Sequence, residues 1–291
     1  MSGTQYMMLS ALGFALMGAL VKVAGSLDIP LFQIILVRAV ISVILSLSAI
    51  ARAKVHPLGH RRWLLLARGV CGFLSLSCVF YAVLNLPFAE ATILQYLHPV
   101  FTAVLAFILL REVPGKGTLI CVLLSLGGLG VMLLPTAGVP NADVNWLAVL
   151  AGLGGAFGSG LAYTIVRKLA STEHPSVIVL YFPMVCIPAS VLVGFQDFIW
   201  PTQEAWLVLF GVGCFAQLGQ LSLTKAMRTD SASRAASLSY VQIVFAALLG
   251  IWLFDELPTL YTMMGAALII LGAVINTLIK VPPSGTATSG R

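Results

Sequence analysis

The chain has 291 residues, of which 59% are hydrophobic and only 9% are charged, and its mean hydropathy is +1.03. A soluble domain carries about 25% charged residues, so this composition excludes a soluble globular protein. The net charge of +6 would suit a nucleic-acid partner. That class is excluded because no Lys/Arg cluster has the interleaved aromatic residues that nucleic-acid binding uses.

Ten apolar runs follow one another along the chain, each long enough to cross the roughly 30 Å hydrocarbon core of a bilayer as a helix. A membrane β-barrel would show shorter segments of alternating polarity instead, so an all-α membrane protein is predicted. The predicted spans cover residues 5–24, 32–51, 63–84, 90–110, 118–134, 146–166, 177–194, 205–224, 234–254 and 259–279. A polar tail at 281–291 is predicted to be disordered.

Five cysteines lie inside the apolar runs and lack paired spacing. We interpret them as small packing residues, not as disulfides or metal ligands. No cofactor or metal is expected.

The stretch 89–114 recurs as 233–258, at a constant spacing of 144 residues, that between Tyr96 and Tyr240. The two copies share this tyrosine, a phenylalanine five residues later and a Glu-x-Pro ending. Two unrelated apolar helices share Leu and Ala through composition alone, but they rarely share this combination at one spacing. The chain is therefore interpreted as an internal duplication, with five predicted spans in each copy.

The distribution of basic residues predicts the orientation in the membrane. With the N-terminus inside, twelve Lys and Arg residues fall in cytoplasmic segments, and only Lys22 falls at an external helix end. Both termini are therefore predicted to be cytoplasmic, in a bacterial inner membrane. An odd number of spans per copy means that the second copy crosses the membrane in the opposite sense. We predict two five-helix inverted-topology repeats, at 1–140 and 141–280, around a central cavity; the alternative is a duplicated bundle without a cavity.

Three stretches carry a resemblance to a known family. They are LVRAVISVIL with Arg38 in the second span, the run RGVCGFLSLSCVFYAVLNLPFAEATILQYLHPVFTAVLAFILLRE, and AASLSYVQIVFAALLGIWLFDELP in the ninth span. With these the chain resembles the ten-helix EamA type of the drug/metabolite transporter superfamily over nearly its whole length. The resemblance implies a central cavity lined mainly by spans 1, 3, 4, 6, 8 and 9, with spans 5 and 10 at the periphery. The pair His98-Pro99 departs from the commonest pattern, and the second copy has Gln242-Ile243 there.

Polar side chains inside a membrane are costly, so they mark candidate binding positions. The fourth span places Gln95 and Tyr96 on one helical face, and the ninth places Ser239 and Tyr240 on the equivalent face. Hydrogen bonding between helices is the alternative interpretation. The predicted substrate-binding residues are Arg38, Arg68, Ser75, Gln95, Tyr96, His98, Tyr163, Gln217, Gln220, Ser239, Tyr240 and Gln242.

Charged residues and a proline supply the gating or coupling candidates, which are Glu90, Pro99 and Arg234. Glu90 suits the dipole at a helix start, whereas Arg234 opposes it. Pro99 removes one backbone hydrogen bond and predicts a flexing point. Arg38 is predicted to lie roughly 9 Å inside the second span, whereas Arg68 is expected to reach back to the cytoplasmic surface.

His98 has two interpretations. Its ring could titrate near neutral pH and couple transport to protons. Alternatively, it packs at a kink and bonds a neighbouring carbonyl, which is the interpretation preferred here.

The predicted function is secondary-active export, by alternating access, of a small polar metabolite such as an amino acid or a related compound. The alternative is an organic-anion carrier that uses the intramembrane arginines. An enzyme is disfavoured, because the sequence lacks HExxH, GxSxG and a GxxxxGK[ST] loop. An ion channel is disfavoured because a duplicated chain suits rocking between two states. The expected partners are a small-molecule substrate, the lipid bilayer and, through His98, a coupling proton; a monomer or weak homodimer is expected.

Overall fold

The computed structural model describes residues 2–85, 94–134, 145–254 and 260–279. In these ranges the chain is all-helical, as predicted, and no β-strand occurs. The α-helices are α1 (Gly3–Ser26), α2 (Leu31–Ala53), α3 (Arg62–Asn85), α4 (His98–Leu110), α5 (Lys116–Leu133), α6 (Trp146–Ala170), α7 (Pro175–Gly194), α8 (Gln203–Thr229), α9 (Ala232–Leu238), α10 (Val241–Phe254) and α11 (Leu260–Leu278). A 3-10 turn, Phe195–Asp197, follows α7. Glu90 and the predicted tail at 281–291 lie outside the described residues.

Seven helical stretches of the described chain are long and apolar enough, by length and composition, to cross a membrane. They are Gly3–Ser26, Leu31–Ala53, Arg62–Val79, Trp146–Ala170, Pro175–Asp197, Gln203–Thr229 and Ala232–Gly250. Three shorter apolar helices cover His98–Leu110, Lys116–Val131 and Met263–Leu278. The described residues thus contain seven full-length spans where the sequence predicts ten.

Local sequence signals set several helix starts. Ser2 and Gln5 form a capping box, in which each side chain accepts a hydrogen bond from the other residue's backbone N–H at the start of α1. Thr202 caps α8 by accepting from the N–H of Ala205. These caps satisfy donors that a helix start leaves without an intrahelical partner.

The helices pack in pairs that join the two halves of the chain. The largest contacts are those of α1 with α8, α3 with α6, α2 with α7, and α5 with α11. Glycine allows a close approach in the first of these pairs: a Cβ on Gly13 of α1 would lie 3.0 Å from the backbone nitrogen of Gly219 on α8. Ser10 adds a hydrogen bond of 2.9 Å to the carbonyl of Gly219.

The pair α5 and α11 packs mainly against itself, in agreement with the peripheral position expected for spans 5 and 10. A Cβ on Gly128 of α5 would meet the carbonyl oxygen of Gly265 at 2.6 Å, so close packing explains that glycine. Close packing does not explain the neighbouring Gly127, because nothing lies within 4 Å of a Cβ built there.

The fourth predicted span is interrupted, so the expectation of one continuous helix is wrong. Tyr96 and Leu97 form a turn, and α4 begins at His98. The cause lies in Pro99, which has no N–H to donate to the carbonyl of Gln95 four residues earlier. The ring of His98 supplies the replacement, because its Nδ1 lies 3.1 Å from that carbonyl oxygen. The preferred structural interpretation of His98 is confirmed.

The ninth predicted span is interrupted at the equivalent position, where Ser239 and Tyr240 form a turn between α9 and α10. No proline causes this break. The carbonyl oxygen of Ala236 accepts from both the backbone N–H (3.0 Å) and the hydroxyl (2.6 Å) of Ser239. These bonds take the carbonyl that Tyr240 would use in an uninterrupted α-helix, and α9 ends there.

Candidate substrate cavity

A cavity of about 230 Å³ lies between the helices and takes lining residues from both halves of the chain. Its walls come from α1, α2, α3, α6, α7, α8, α10 and the break before α4. Span 2 and span 7 therefore contribute in addition to the six spans that the resemblance implied. Nine of the predicted substrate-binding residues line it: Arg38, Arg68, Ser75, Gln95, Tyr96, His98, Tyr163, Gln220 and Gln242.

Three predicted substrate-binding residues lie behind the cavity wall. Gln217 donates from Nε2 to the Oγ of Ser46 at 2.8 Å, so it joins α8 to α2. Ser239 is buried, and its hydroxyl lies 3.2 Å from the Nε2 of His98. Tyr240 is only 1% exposed and packs against Tyr96. Of the two glutamines on α8, only Gln220 therefore reaches the cavity.

Phe14, Met17 and Phe182 line the cavity but were not predicted. An aromatic or Met side chain in an apolar helix has the same sequence signature whether it contacts lipid, core or cavity. Phe182 lies in the stretch of α7 from Pro175 to Pro183, where every residue is buried, and this burial is visible only in the structure.

Phe182 lies between two cations. The guanidinium carbon of Arg68 is 5.0 Å from the centre of its ring, and that of Arg38 is 5.4 Å away. These distances fall within the range of cation–π attraction. The phenyl ring is therefore the apolar platform on which both arginines rest.

Arg68 does not extend to the cytoplasmic surface, and that prediction is wrong. Its side chain is 5% exposed, lines the cavity, and donates from Nη2 to the Oε1 of Gln220 at 3.2 Å. Phe182 and Gln220 provide contacts within the bundle that compete with the surface. A Cβ on Gly72 would lie 2.7 Å from Nη1 of Arg68, so the glycine one turn later leaves room for the inward rotamer.

Ser75 and Ser159 join α3 to α6 beside the cavity. Their hydroxyl oxygens are 2.7 Å apart, and Ser75 also donates to the carbonyl of Gly155 at 2.6 Å. Ser75 therefore lines the cavity and also forms a hydrogen bond between helices. The two interpretations of intramembrane polar residues, cavity lining and interhelical bonding, do not exclude each other at this residue.

The two helix breaks meet at the cavity wall. The hydroxyl of Tyr240 donates to the carbonyl oxygen of Tyr96 at 2.9 Å, and the two rings stack with centroids 6.2 Å apart. His98 packs edge-on against Tyr163 of α6, with centroids 5.2 Å apart. Contacts across the breaks thus connect the first half of the chain to the second.

A polar network joins four helix ends away from the cavity. Glu112 accepts from the Nε of Arg167 at 2.7 Å through one carboxylate oxygen, and from the backbone N–H of Ala232 at 2.9 Å through the other. Arg167 also donates to the carbonyl of Met227 at 2.7 Å. The ends of α4, α6, α8 and α9 are therefore held together, with Glu112 as the anchor that α4 contributes.

Arg234 belongs to this end of the molecule and not to the cavity. Its Nη1 lies 3.8 Å from a carboxylate oxygen of Asp230, and its Nη2 donates to the carbonyl of Thr277. Burial raises the pKa of the Asp230 carboxyl, and the charge of Arg234 opposes this. The nearby carboxylate offsets the unfavourable position of Arg234 in the first turn of α9.

The sequence matches the EamA-like transporter family at residues 1–134 and 146–278. The chain belongs to the EamA-like transporter family. The match covers most of the chain and confirms the EamA family to which the second, third, fourth and ninth spans showed a resemblance. Together with its apolar helices, it identifies a multi-pass membrane protein of a transporter family.

Relatives in this family carry the names of membrane transporters. The pseudopaline exporter CntI of Pseudomonas aeruginosa is 33% identical over 96% of this chain and 97% of its own length. The riboflavin transporter of Vibrio cholerae is 25% identical over 95% of this chain and 93% of its own length. A crystal structure with a TM-score of 0.80 and 22% identity covers 93% of this chain and 96% of the solved chain, which shows that the two chains share a fold.

Proposed function

We propose that this EamA-like protein is a secondary-active transporter that exports a small polar metabolite by alternating access. The observation that carries the proposal is the cavity of about 230 Å³, which combines arginine, amide, hydroxyl and aromatic groups inside an apolar bundle. Such groups are costly in a membrane protein unless they bind something or one another. The cavity volume suits a metabolite of modest size, for which an amino acid or a related compound is the proposed class.

The proposed architecture is ten membrane helices in two inverted five-helix repeats, at 1–140 and 141–280. The seven full-length spans and the three shorter apolar helices give ten segments in the described part of the chain. The helix contacts support the repeat, since exchanging the halves turns the α1–α8 pair into the α6–α3 pair. The same exchange relates the α4–α6 contact to the α10–α1 contact.

The helix breaks support alternating access. Both lie at the same place in the proposed repeat, and the second leaves α9 as a short helical segment able to turn against α10. In inverted-repeat transporters, discontinuous helices form the substrate site near the midplane, and one repeat moves against the other during alternating access. Pro99 retains its predicted role as a flexing point, and Tyr96 is proposed to cover the cargo.

The proposed orientation has both termini in the cytoplasm of a bacterial cell. The loops around Leu58 and Glu173 lie together, since Tyr181 donates to the carbonyl of Leu58 and Glu173 accepts from the N–H of Arg61. At the other end, Gln33 exchanges two hydrogen bonds with the backbone of Ile199. The basic loops therefore share one end of the bundle, as the positive-inside rule requires.

Reporter fusions test this orientation. Fusions after Lys54, Lys116, Lys168, Arg228 and Lys280 are expected to report the cytoplasm. Fusions within 138–144 and 196–203 are expected to report the outside. Alkaline phosphatase and fluorescent-protein fusions at each site would supply opposite readouts. An external result at Lys116 would contradict the inverted repeat.

The names of two relatives bear on the direction of transport and on the cargo. CntI is named as an exporter, which supports export by this chain. The riboflavin transporter, 25% identical to this chain, is named for a different cargo from that of CntI. An organic-anion carrier is the second candidate. It is favoured by the position of Arg38 and Arg68 in the cavity, without an acidic residue among the described lining residues.

Proteoliposomes test the proposed function directly. The purified protein is expected to catalyse saturable uptake that a load of the same unlabelled metabolite accelerates, because a carrier exchanges its cargo. A panel of amino acids, organic acids and neutral polar metabolites would be assayed without ATP. Flux that rises in proportion to concentration would indicate a channel, and no flux with any solute would contradict the proposal.

A further inference from the structure

Arg68 is buried but incompletely bonded. Its Nη2 donates to Gln220, whereas its Nε and Nη1 have no hydrogen-bond partner. Besides its contact with Phe182, Arg38 makes a weak hydrogen bond of 3.7 Å from its Nη1 to the thioether sulfur of Met17. Buried polar groups are almost always hydrogen-bonded, so donors left free beside a cavity indicate a missing acceptor.

No described acidic residue balances these two charges. Three of the described carboxylates are engaged elsewhere: Glu112 with Arg167, Glu173 with His60, and Asp230 with Arg234. The other three, Asp28, Asp197 and Glu204, lie in a loop, a 3-10 turn and the first turn of α8. Arginine stays protonated in proteins, so the cavity presents two positive charges to whatever enters it.

We infer that Arg68 and Arg38 form an anion subsite for the cargo, so that the transported metabolite is an organic anion. The inference rests on the proposed transport function and names its substrate class. Arg68 is the primary ligand, because its Nε and Nη1 are free to bond a carboxylate or a phosphate oxygen. Gln220 is a positioning residue, since its bond to Nη2 fixes the guanidinium over Phe182.

The side-chain amide of Gln95 in the same cavity narrows the class of anion that the cargo belongs to. The Oε1 of Gln95 is a buried acceptor without a partner in the described structure. A cargo that fills the cavity therefore carries an N–H or O–H donor in addition to its anionic group. Hydroxy acids, acidic amino acids and their phosphorylated counterparts combine both features.

The first test is ligand-induced thermal stabilisation of the purified protein. The probes are malate and glutamate for a carboxylate, glycerol 3-phosphate for a phosphate, and malamide as the uncharged match of malate. At least one anion is expected to raise the melting temperature, while malamide leaves it unchanged. The anion that raises the melting temperature shows whether the subsite binds a carboxylate or a phosphate. If no anion stabilises the wild type, or if malamide acts equally, the inference is overturned.

Charge variants then assign the subsite. Arg68→Gln is expected to lower the affinity for the stabilising anion at least about tenfold, because a charged hydrogen bond to the anion is lost. Arg38→Gln is expected to lower this affinity by less. Arg52→Gln, at an exposed position in the last turn of α2, removes the same charge and is expected to leave binding unchanged. Equal affinity of wild type and Arg68→Gln would overturn the assignment.

A further variant separates binding from structure. Arg68→Met in ligand-free protein is expected to raise the melting temperature, because it removes a buried charge that only the cargo compensates. A lower melting temperature would mean that Arg68 serves the fold. Glu90→Gln, outside the described residues, is expected to retain anion-induced stabilisation; a gain in anion affinity would identify Glu90 as the counter-charge and overturn the inference.

Proteoliposome counterflow distinguishes this inference from the proposed function. If only a neutral or cationic solute is carried, and equally by Arg68→Gln, transport stands and the anion subsite fails. If an anion stabilises the protein through Arg68 but no solute shows counterflow, the subsite stands and the transport proposal fails.

Discussion

Replacing Glu112 with glutamine is expected to destabilise the protein by about 2 kcal/mol and to reduce transport at least about tenfold. The carboxylate serves two donors on different helices, Arg167 through one oxygen and Ala232 through the other. An amide has one acceptor oxygen and one donor nitrogen, so one of these groups must lose its partner. Because the carboxylate joins the ends of α4, α6 and α9, its loss would loosen the packing of these helix ends and impair the proposed transport cycle. Thermal unfolding and counterflow rates would measure the two effects.

Glu204→Gln provides the matched control. This carboxylate is exposed in the first turn of α8, and its replacement is expected to change stability by less than about 0.5 kcal/mol. A wild-type melting temperature for Glu112→Gln would show that solvent already supports this end of the bundle.

Replacing Tyr240 with alanine is expected to cost about 3–5 kcal/mol, the effect of removing a large buried aromatic side chain. Tyr240 is 1% exposed, stacks on Tyr96 and donates to its carbonyl where the fourth span is broken. Tyr240→Phe keeps the stacking and removes only the hydrogen bond, for an expected cost of about 1–2 kcal/mol. Chemical or thermal unfolding of purified protein would measure both variants.

Tyr96 should behave differently from Tyr240, although the sequence assigns both to the substrate. Tyr96 lines the cavity, so Tyr96→Ala is expected to weaken cargo binding more than it weakens the fold. Tyr261→Ala, at a 44% exposed position near the start of α11, serves as the control. If Tyr240→Ala binds cargo poorly while unfolding at the wild-type temperature, Tyr240 contacts the cargo after all.

The helices were predictable from sequence because apolar runs of spanning length leave few other folds in a bilayer. Most of the cavity was predictable for a related reason: polar groups such as Arg38, Gln95 and Gln220 are too costly to face lipid. The break at Tyr96 was predictable in part, because Pro99 implied that the helix bends. The break at Ser239 was not predictable, because a serine hydroxyl that competes for a helix carbonyl leaves no periodic signal in the sequence.

Whether a polar side chain lines the cavity or bonds to another helix depends on its neighbours across the bundle, which the sequence does not show. Gln217 and Gln220 lie one turn apart on α8, yet one contacts Ser46 and the other Arg68. The direction of Arg68 likewise depends on Phe182, a residue 114 positions away whose role only packing reveals.

The shared platform of Phe182 has a consequence for biosynthesis. Arg38 and Arg68 enter the membrane with the first helices, whereas Phe182 and Gln220 follow on α7 and α8, after the chain has grown by more than a hundred residues. Until then, both guanidinium groups need water, lipid headgroups or the insertion machinery as partners. The first half therefore cannot adopt its final interior while it is alone, and the second half acts on it during synthesis as a folding partner within the same chain.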